Sequence, residues 1–183
     1  ASAVEFADID ASGTLDILVA GAQSGDFTAL LNEGGGVWAA PLRFRAGAGP
    51  YGLVDVDGMP RIVSQEGTTG LALGARFGDG LADLFAVNPG ANTITRMAGQ
   101  STGWSAPEVI LPGLDQAFAI ASADLNGDGH TDLLVLDRTG VSVFLADVNG
   151  EFTLAFRADV GSAPRGLSLA HVDDDEYLDL LIG

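Results

Sequence analysis

Short apolar runs punctuated by Gly, Pro, Asn and Asp recur along the chain, at Ile17 to Val19, Leu84 to Val87, Leu133 to Leu136 and Leu180 to Ile182. Runs this short between turn formers read as buried β-strands, because a helix needs a longer stretch with apolar residues returning at its own period. The pattern is clearest from Ala117 onward. There four strands are expected, at Ala117 to Ala121, Asp132 to Leu136, Val141 to Leu145 and Phe152 to Phe156, with Asn149 and Gly150 in a connecting turn. The chain therefore reads as all-β.

Each apolar run is entered through an aspartate: Asp16, Asp83, Asp132 and Asp179. Upstream of Asp132 the residues Asp124 to Asp132 read DxNxDGxxD. Oxygen-bearing side chains at alternate places in a tightly curled loop suit calcium, a hard cation that takes six to eight oxygens at about 2.3 to 2.6 Å. On this reading Asp124, Asn126, Asp128 and Asp132 supply side chains and His130 its main-chain carbonyl, while Gly129 permits the sharp turn at positive φ. An EF-hand would need a carboxylate at position 12 and a helix on each side. Position 12 is Val135, inside a strand-like run, so the loop is expected to close into a strand.

The loop belongs to a series. Asp8, Asp10, Ser12, Thr14 and Asp16 repeat its oxygen positions before Ile17 to Val19. A copy at Ala75 to Asp83 keeps Asp79, Gly80 and Asp83 but has Ala75 and Phe77 where oxygens belong, and it is expected to be empty. Another, His171 to Asp179, keeps Asp173, Asp175 and Asp179, with Tyr177 at the carbonyl place. It opens with a nitrogen ligand poorly suited to calcium and has Glu176 in place of glycine. Weak calcium binding and filling by Asp174 and Glu176 are both open there.

The four entry aspartates are 67, 49 and 47 residues apart, and Trp38, Trp104 and Phe152 follow three of them by 22, 21 and 20 residues. These aromatics read as core between repeated sheets, with aromatic ligand platforms as the alternative. A period near 47 residues belongs to arrays whose units bury their apolar faces on one another. Four short strands per unit is the content of one propeller blade.

The DxNxDGxxD loop between two apolar strands resembles the FG-GAP or VCBS repeat, as in the β-propellers of integrin α subunits and of many secreted bacterial proteins. The resemblance implies an all-β propeller of blades with about four antiparallel strands, as a partial ring or a small closed one. It places calcium on Asp124, Asn126, Asp128, the His130 carbonyl and Asp132, and on Asp8, Asp10, Ser12, the Thr14 carbonyl and Asp16. Asp173, Asp175, Tyr177 and Asp179 are candidates for a third site. Repeats are expected at residues 1–50, 70–115, 116–162 and 163–183, with an extra hairpin at 51–69. In that hairpin Asp55 to Arg61 is a degenerate echo of the motif, in which Arg61 can neutralise Asp55 and Asp57 without a metal.

Charge narrows the partners. The chain has 25 acidic residues against 8 basic ones, all arginine, and a net charge of −17 at pH 7, which argues against nucleic-acid or anionic-membrane partners. Nine of the acids stand at the candidate ligand positions of three of the loops, so a cation bound only by the native state would stabilise it. No run approaches the roughly 18 apolar residues of a membrane span. Without an initiator Met the chain reads as a processed or excised piece, and further blades or domains of a larger chain are expected beside it. With no cysteine, calcium is the better guide to location, since sites of modest affinity fill permanently outside cells. That favours an extracellular, secreted or cell-surface setting, and the absence of lysine hints at a GC-rich bacterial source.

Catalytic groups are sparse. Both histidines lie inside the loops, cysteine is absent, and no GxSxG, HExxH or phosphate-loop motif occurs. Asp26, Glu33, Glu66, Glu108, Asp115, Asp137, Asp147, Glu151 and Asp159 could pair for glycoside cleavage but read as solvated charge. The resemblance therefore implies a non-catalytic, calcium-stabilised adhesion module for a glycan or an extracellular protein. A scaffold attached to a catalytic domain and a calcium-dependent polysaccharide lyase or hydrolase are the alternatives.

Overall fold

More and less buried residues alternate along Asp16–Ala20 and Asp26–Leu30 while Asp132–Leu136 is buried throughout, and antiparallel hairpins are the shortest way to satisfy such backbones. The computed structural model describes residues 3–21, 26–45, 53–56, 59–62, 70–75, 82–100, 103–161, 164, 166–173, 175 and 177–183. Strands β1 (Ala3–Ala7), β2 (Asp16–Ala20) and β3 (Asp26–Leu30) meander, a small ladder of β4 (Asn32–Gly34) and β5 (Val37–Trp38) follows, and β6 (Leu42–Arg45) completes a sheet of order β1-β2-β3-β6. β7 (Leu53–Val56) and β8 (Met59–Ile62) pair as a separate two-stranded ladder.

The next sheet runs β9 (Gly70–Ala75), β10 (Ala82–Asn88) and β11 (Thr93–Met97), then, after the ladder of β12 (Gly99–Gln100) and β13 (Gly103–Trp104), β14 (Glu108–Pro112) on its outer edge. A third sheet has β15 (Ala119–Ala123), β16 (Asp132–Leu136), β17 (Gly140–Ala146) and β18 (Phe152–Asp159) in sequence order, and β19 (Leu167–Ala170) pairs with β20 (Asp179–Ile182) in a fourth. The only helical turn among the described residues is a short 3-10 turn at Pro89–Ala91. β1, β9, β15 and β19 lie beside their neighbours in chain order. Sheets stacked face to face around their first strands make an all-β partial propeller ring.

The strands depart from expectation at their ends. β15 lies two residues later than Ala117 to Ala121, because Ala123 pairs with Asp132 and carries the ladder to the mouth of the loop. β18 runs on to Asp159, since a register shift between Val143 and Phe144 lets its far half keep pairing with β17.

Two apolar cores sit between sheets rather than within one. Leu18, Ala20, Phe27 and Ala29 of the first sheet meet Leu84, Ala86, Met97 and Trp104 of the second. Phe27 and Phe44 stack at 5.0 Å, and Trp104 meets each edge-on at 5.3 Å. Between the second and third sheets, Phe152 packs edge-on against Phe85 at 5.9 Å. The repeated aromatic thus wedges one blade onto the preceding one. Trp38, at the same place in the first repeat, is 46 % exposed, whereas Trp104 is 8 % exposed. The core reading of these aromatics holds for Trp104 and Phe152 and not for Trp38.

The blades also touch near their inner strands. The Ser122 hydroxyl donates to the Leu73 carbonyl at 2.8 Å, tying β15 to β9. Gly74 of β9 lies against Thr131, which precedes β16; a Cβ there would come within 2.5 Å of the threonine methyl.

Candidate metal sites

The loops before β2 and β16 fold alike because the same residue types hold the backbone at each turn. In the first, the Asp8 carboxylate accepts from the Ser12 and Gly13 amides at 2.9 and 2.8 Å, and Asp10 accepts from Ser12 at 3.0 Å. In the second, Asp124 accepts from Gly127, Asp128 and Gly129 at 2.8, 3.2 and 2.8 Å, Asn126 from Asp128 at 2.9 Å, and Asp128 from His130 at 2.8 Å. Each is a series of side chains turned back onto amides two to five residues ahead, which curls the chain around its own oxygens. Two residues per loop take positive φ: Ala11 and Gly13 at 59° and 86°, Gly127 and Gly129 at 77° and 84°. Sequence reasoning found the second of each pair and missed the first.

Asp16 and Asp132 do more than the ligand role expected of them. Both are fully buried. Asp132 accepts from the Leu125 amide at 2.9 Å and, with its other oxygen, from the Ala146 amide at 2.9 Å. Asp16 does the same with Ile9 at 2.8 Å and Asn32 at 2.7 Å. One carboxylate thereby joins the start of the loop, the entry to the second strand and the far end of the third. Carboxylate oxygens retain further lone pairs after such bonds, so clamp and ligand are compatible.

The first loop carries the tighter oxygen cluster. Ligand oxygens of Asp8, Asp10 and Asp16 all lie within 4.8 Å of one another, the one such group of acids and histidines among the described residues. A hard, all-oxygen set at this spacing fits calcium. Ser12 and Thr14 pair their hydroxyls at 2.8 Å, and the Thr14 hydroxyl donates to the Asn32 carbonyl, tethering the loop to β4. At 124–132, Asp128 instead accepts from the Asn126 side-chain amide at 2.8 Å. That bond, followed by the His130 amide, holds the Asp128 carboxyl below its ordinary value.

The degenerate copies diverge. Residues 76–81, with Phe77, Asp79 and Gly80, lie outside the described residues, yet Asp83 is buried and accepts from the Gly99 amide at 2.9 Å. Before β20, Asp173 accepts from Asp175, Asp175 from Tyr177, and Asp179 from Val172, at 3.0, 2.8 and 2.8 Å. His171 Nδ1 lies 2.9 Å from the Tyr177 carbonyl. A carbonyl only accepts, so Nδ1 carries the proton in that bond, and the oxygen keeps a second lone pair. Asp174 and Glu176 lie outside the described residues, as do the side chains of Asp55, Asp57 and Arg61.

Several remaining carboxylates are engaged in the framework. Asp137 is buried and meets Arg157 at 2.8 Å; burial alone would raise its pKa, but Arg157 and the Thr139 and Gly140 amides together hold it low. Glu108 meets Arg96 at 3.3 Å, and Asp115 meets Arg138 at 3.7 Å. Asp147 caps its own turn on the Glu151 and Asn149 amides, which lower its pKa.

The FG-GAP-like repeat family matches residues 77–135 and again 124–182, together more than half of the chain. The chain belongs to the FG-GAP-like repeat family. The two matches share 124–135, the loop and β16, so each family unit begins before one blade's second strand and ends in the second strand of the next blade. No curated protein matches the chain significantly. No helix among the described residues is long and apolar enough to cross a membrane.

Proposed function

We propose that this FG-GAP chain is a calcium-stabilised binding module, working outside the cell, that holds a glycan or a protein without turning it over. The observation that carries the calcium reading is the gathering of the Asp8, Asp10 and Asp16 oxygens within 4.8 Å on a loop whose fold recurs at 124–132. Two sites follow, at 8–16 and 124–132. The nitrogen of His171, at the place held by an aspartate in the other two loops, argues against a third at 171–179. Calcium at these places joins the loop to its two flanking strands, the role of a staple, so recognition falls to other surfaces. Engagement of Glu108, Asp115 and Asp137 with arginines favours binding without turnover over a carboxylate-pair hydrolase.

Thermal unfolding in calcium and in EGTA, followed by a glycan and matrix-protein array in both buffers, tests the reading. A calcium-dependent rise in Tm and calcium-dependent retention on the array are expected. An unchanged Tm removes the calcium reading, and an empty array in both buffers removes the binding reading.

A further inference from the structure

The first strands of the four sheets line an open cavity of about 390 Å³ that none of the calcium loops uses. It is lined by Glu5 and Phe6 of β1, Leu73 of β9, Ser122 of β15 and Leu167 and Ser168 of β19, among others. Among the described residues β1, β9, β15 and β19 each pair on one edge only, so their other edges offer backbone carbonyls and amides without a strand partner, the Leu73 carbonyl apart, which accepts from Ser122. Among the described residues, the one charged residue that lines this space is Glu5. Glu5 is half-buried, and burial raises its pKa, with neither a cation nor a hydrogen bond acting to lower it. A desolvated carboxylate without a partner is costly to a fold, and a ligand that supplies the missing cation removes that cost.

We propose that this central cavity binds a small organic ammonium ion, with Glu5 as counter-ion and the free strand carbonyls and serine hydroxyls accepting its remaining hydrogens. The cavity's chemistry selects this class. The one charged residue among its described lining is negative and the molecule carries −17, so anions are repelled and cations drawn in. A bare metal ion would find one carboxylate here, against the three gathered at 8–16. The proposal is independent of whether the loops hold calcium.

Titration of the ¹⁵N-labelled chain with ethanolamine, at fixed calcium, tests it, with ethylene glycol as the uncharged match. Ethanolamine is expected to shift the amides of Glu5, Leu73, Ser122 and Ser168, and ethylene glycol to leave them in place. Glu5→Gln keeps the shape and removes the charge. It should weaken ethanolamine binding roughly tenfold or more, the scale of a hydrogen bond to a charged group. Glu151→Gln, which removes the same charge at an exposed turn, should bind as the unaltered chain does. As a check that needs no variant, binding should fall as the pH drops through the raised Glu5 pKa, since no other titratable residue among the described ones lines the cavity. No ethanolamine binding, undiminished binding by the Glu5→Gln variant, or equal shifts from ethylene glycol would overturn the proposal.

Discussion

Asp83 and Asp132 stand at the same place in consecutive repeats, yet only one of their loops keeps a calcium-like set of oxygens. The loop before Asp132 has Asp124, Asn126 and Asp128, whereas the loop before Asp83 has Ala75 and Phe77 at the first two of those places. Even so, both aspartates are buried, and both pass one oxygen to an amide at or just past the far end of the blade's third strand: Gly99 for Asp83, Ala146 for Asp132. The last aspartate of the motif is therefore held by folding whether or not a metal is. The earlier oxygens are where a metal would make the difference.

The largest effect should follow from removing the shared clamp. Asp132→Ala leaves the Leu125 and Ala146 amides without an acceptor, at a cost of about 2 to 4 kcal/mol for two backbone donors. In a chain of this size that lowers Tm by roughly 5 to 15 °C. Asp83→Ala, which leaves the Gly99 amide without its acceptor, should cost about 1 to 3 kcal/mol whatever the buffer. Asp132→Ala should lose its amount in EGTA and further stability in calcium, where a ligand oxygen goes with the clamp. A loss by the Asp132 variant that appears in calcium and vanishes in EGTA would break the comparison and return Asp132 to a mainly metal-binding role.

Next in size is the effect that should separate the two loops. Asp124 is exposed and accepts only from amides of its own loop, so Asp124→Ala should lower Tm modestly in EGTA. In about 10 mM calcium, ten to a hundred times the Kd expected of an extracellular module, one bound ion adds roughly 1.4 to 2.7 kcal/mol. The variant should forfeit most of the share contributed by that site. Isothermal titration should show one fewer calcium bound. If the stoichiometry is unchanged, the loop at 124–132 is a turn and not a site.

Much of this was legible in the sequence, for reasons that differ by residue. The entry aspartates and the apolar runs behind them repeat because each blade needs the same buried strand and the same clamp, so the period revealed the blades. Which oxygen did what was not legible, since an aspartate that caps amides and one that binds calcium leave the same letter. Trp38 and Trp104 share a position, but a blade covers Trp104 and none among the described residues covers Trp38, and spacing carries no record of the neighbour. Glu5 gave no signal, because its setting is made by strands from four separate repeats that converge only in the fold.

The smallest effect tests whether the loops at 8–16 and 124–132 are alike in backbone as well as in oxygens. Ala11 and Gly127 occupy the same place, and both take positive φ, at 59° and 77°. An L-residue pays about 1 to 2 kcal/mol in that region, where glycine is at ease, although glycine gives some of this back through the freedom it has unfolded. Ala11→Gly should therefore stabilise the chain by about 0.5 to 1 kcal/mol, a rise in Tm of roughly 1 to 4 °C, and Gly127→Ala should cost a similar amount. No Cβ clash stands in the way at Gly127, which has open space around it, so the sign of the change reports the backbone alone. If Ala11→Gly raises Tm in EGTA but not in calcium, calcium pulls the first loop out of this turn, and the likeness between the two loops is confined to their metal-free form.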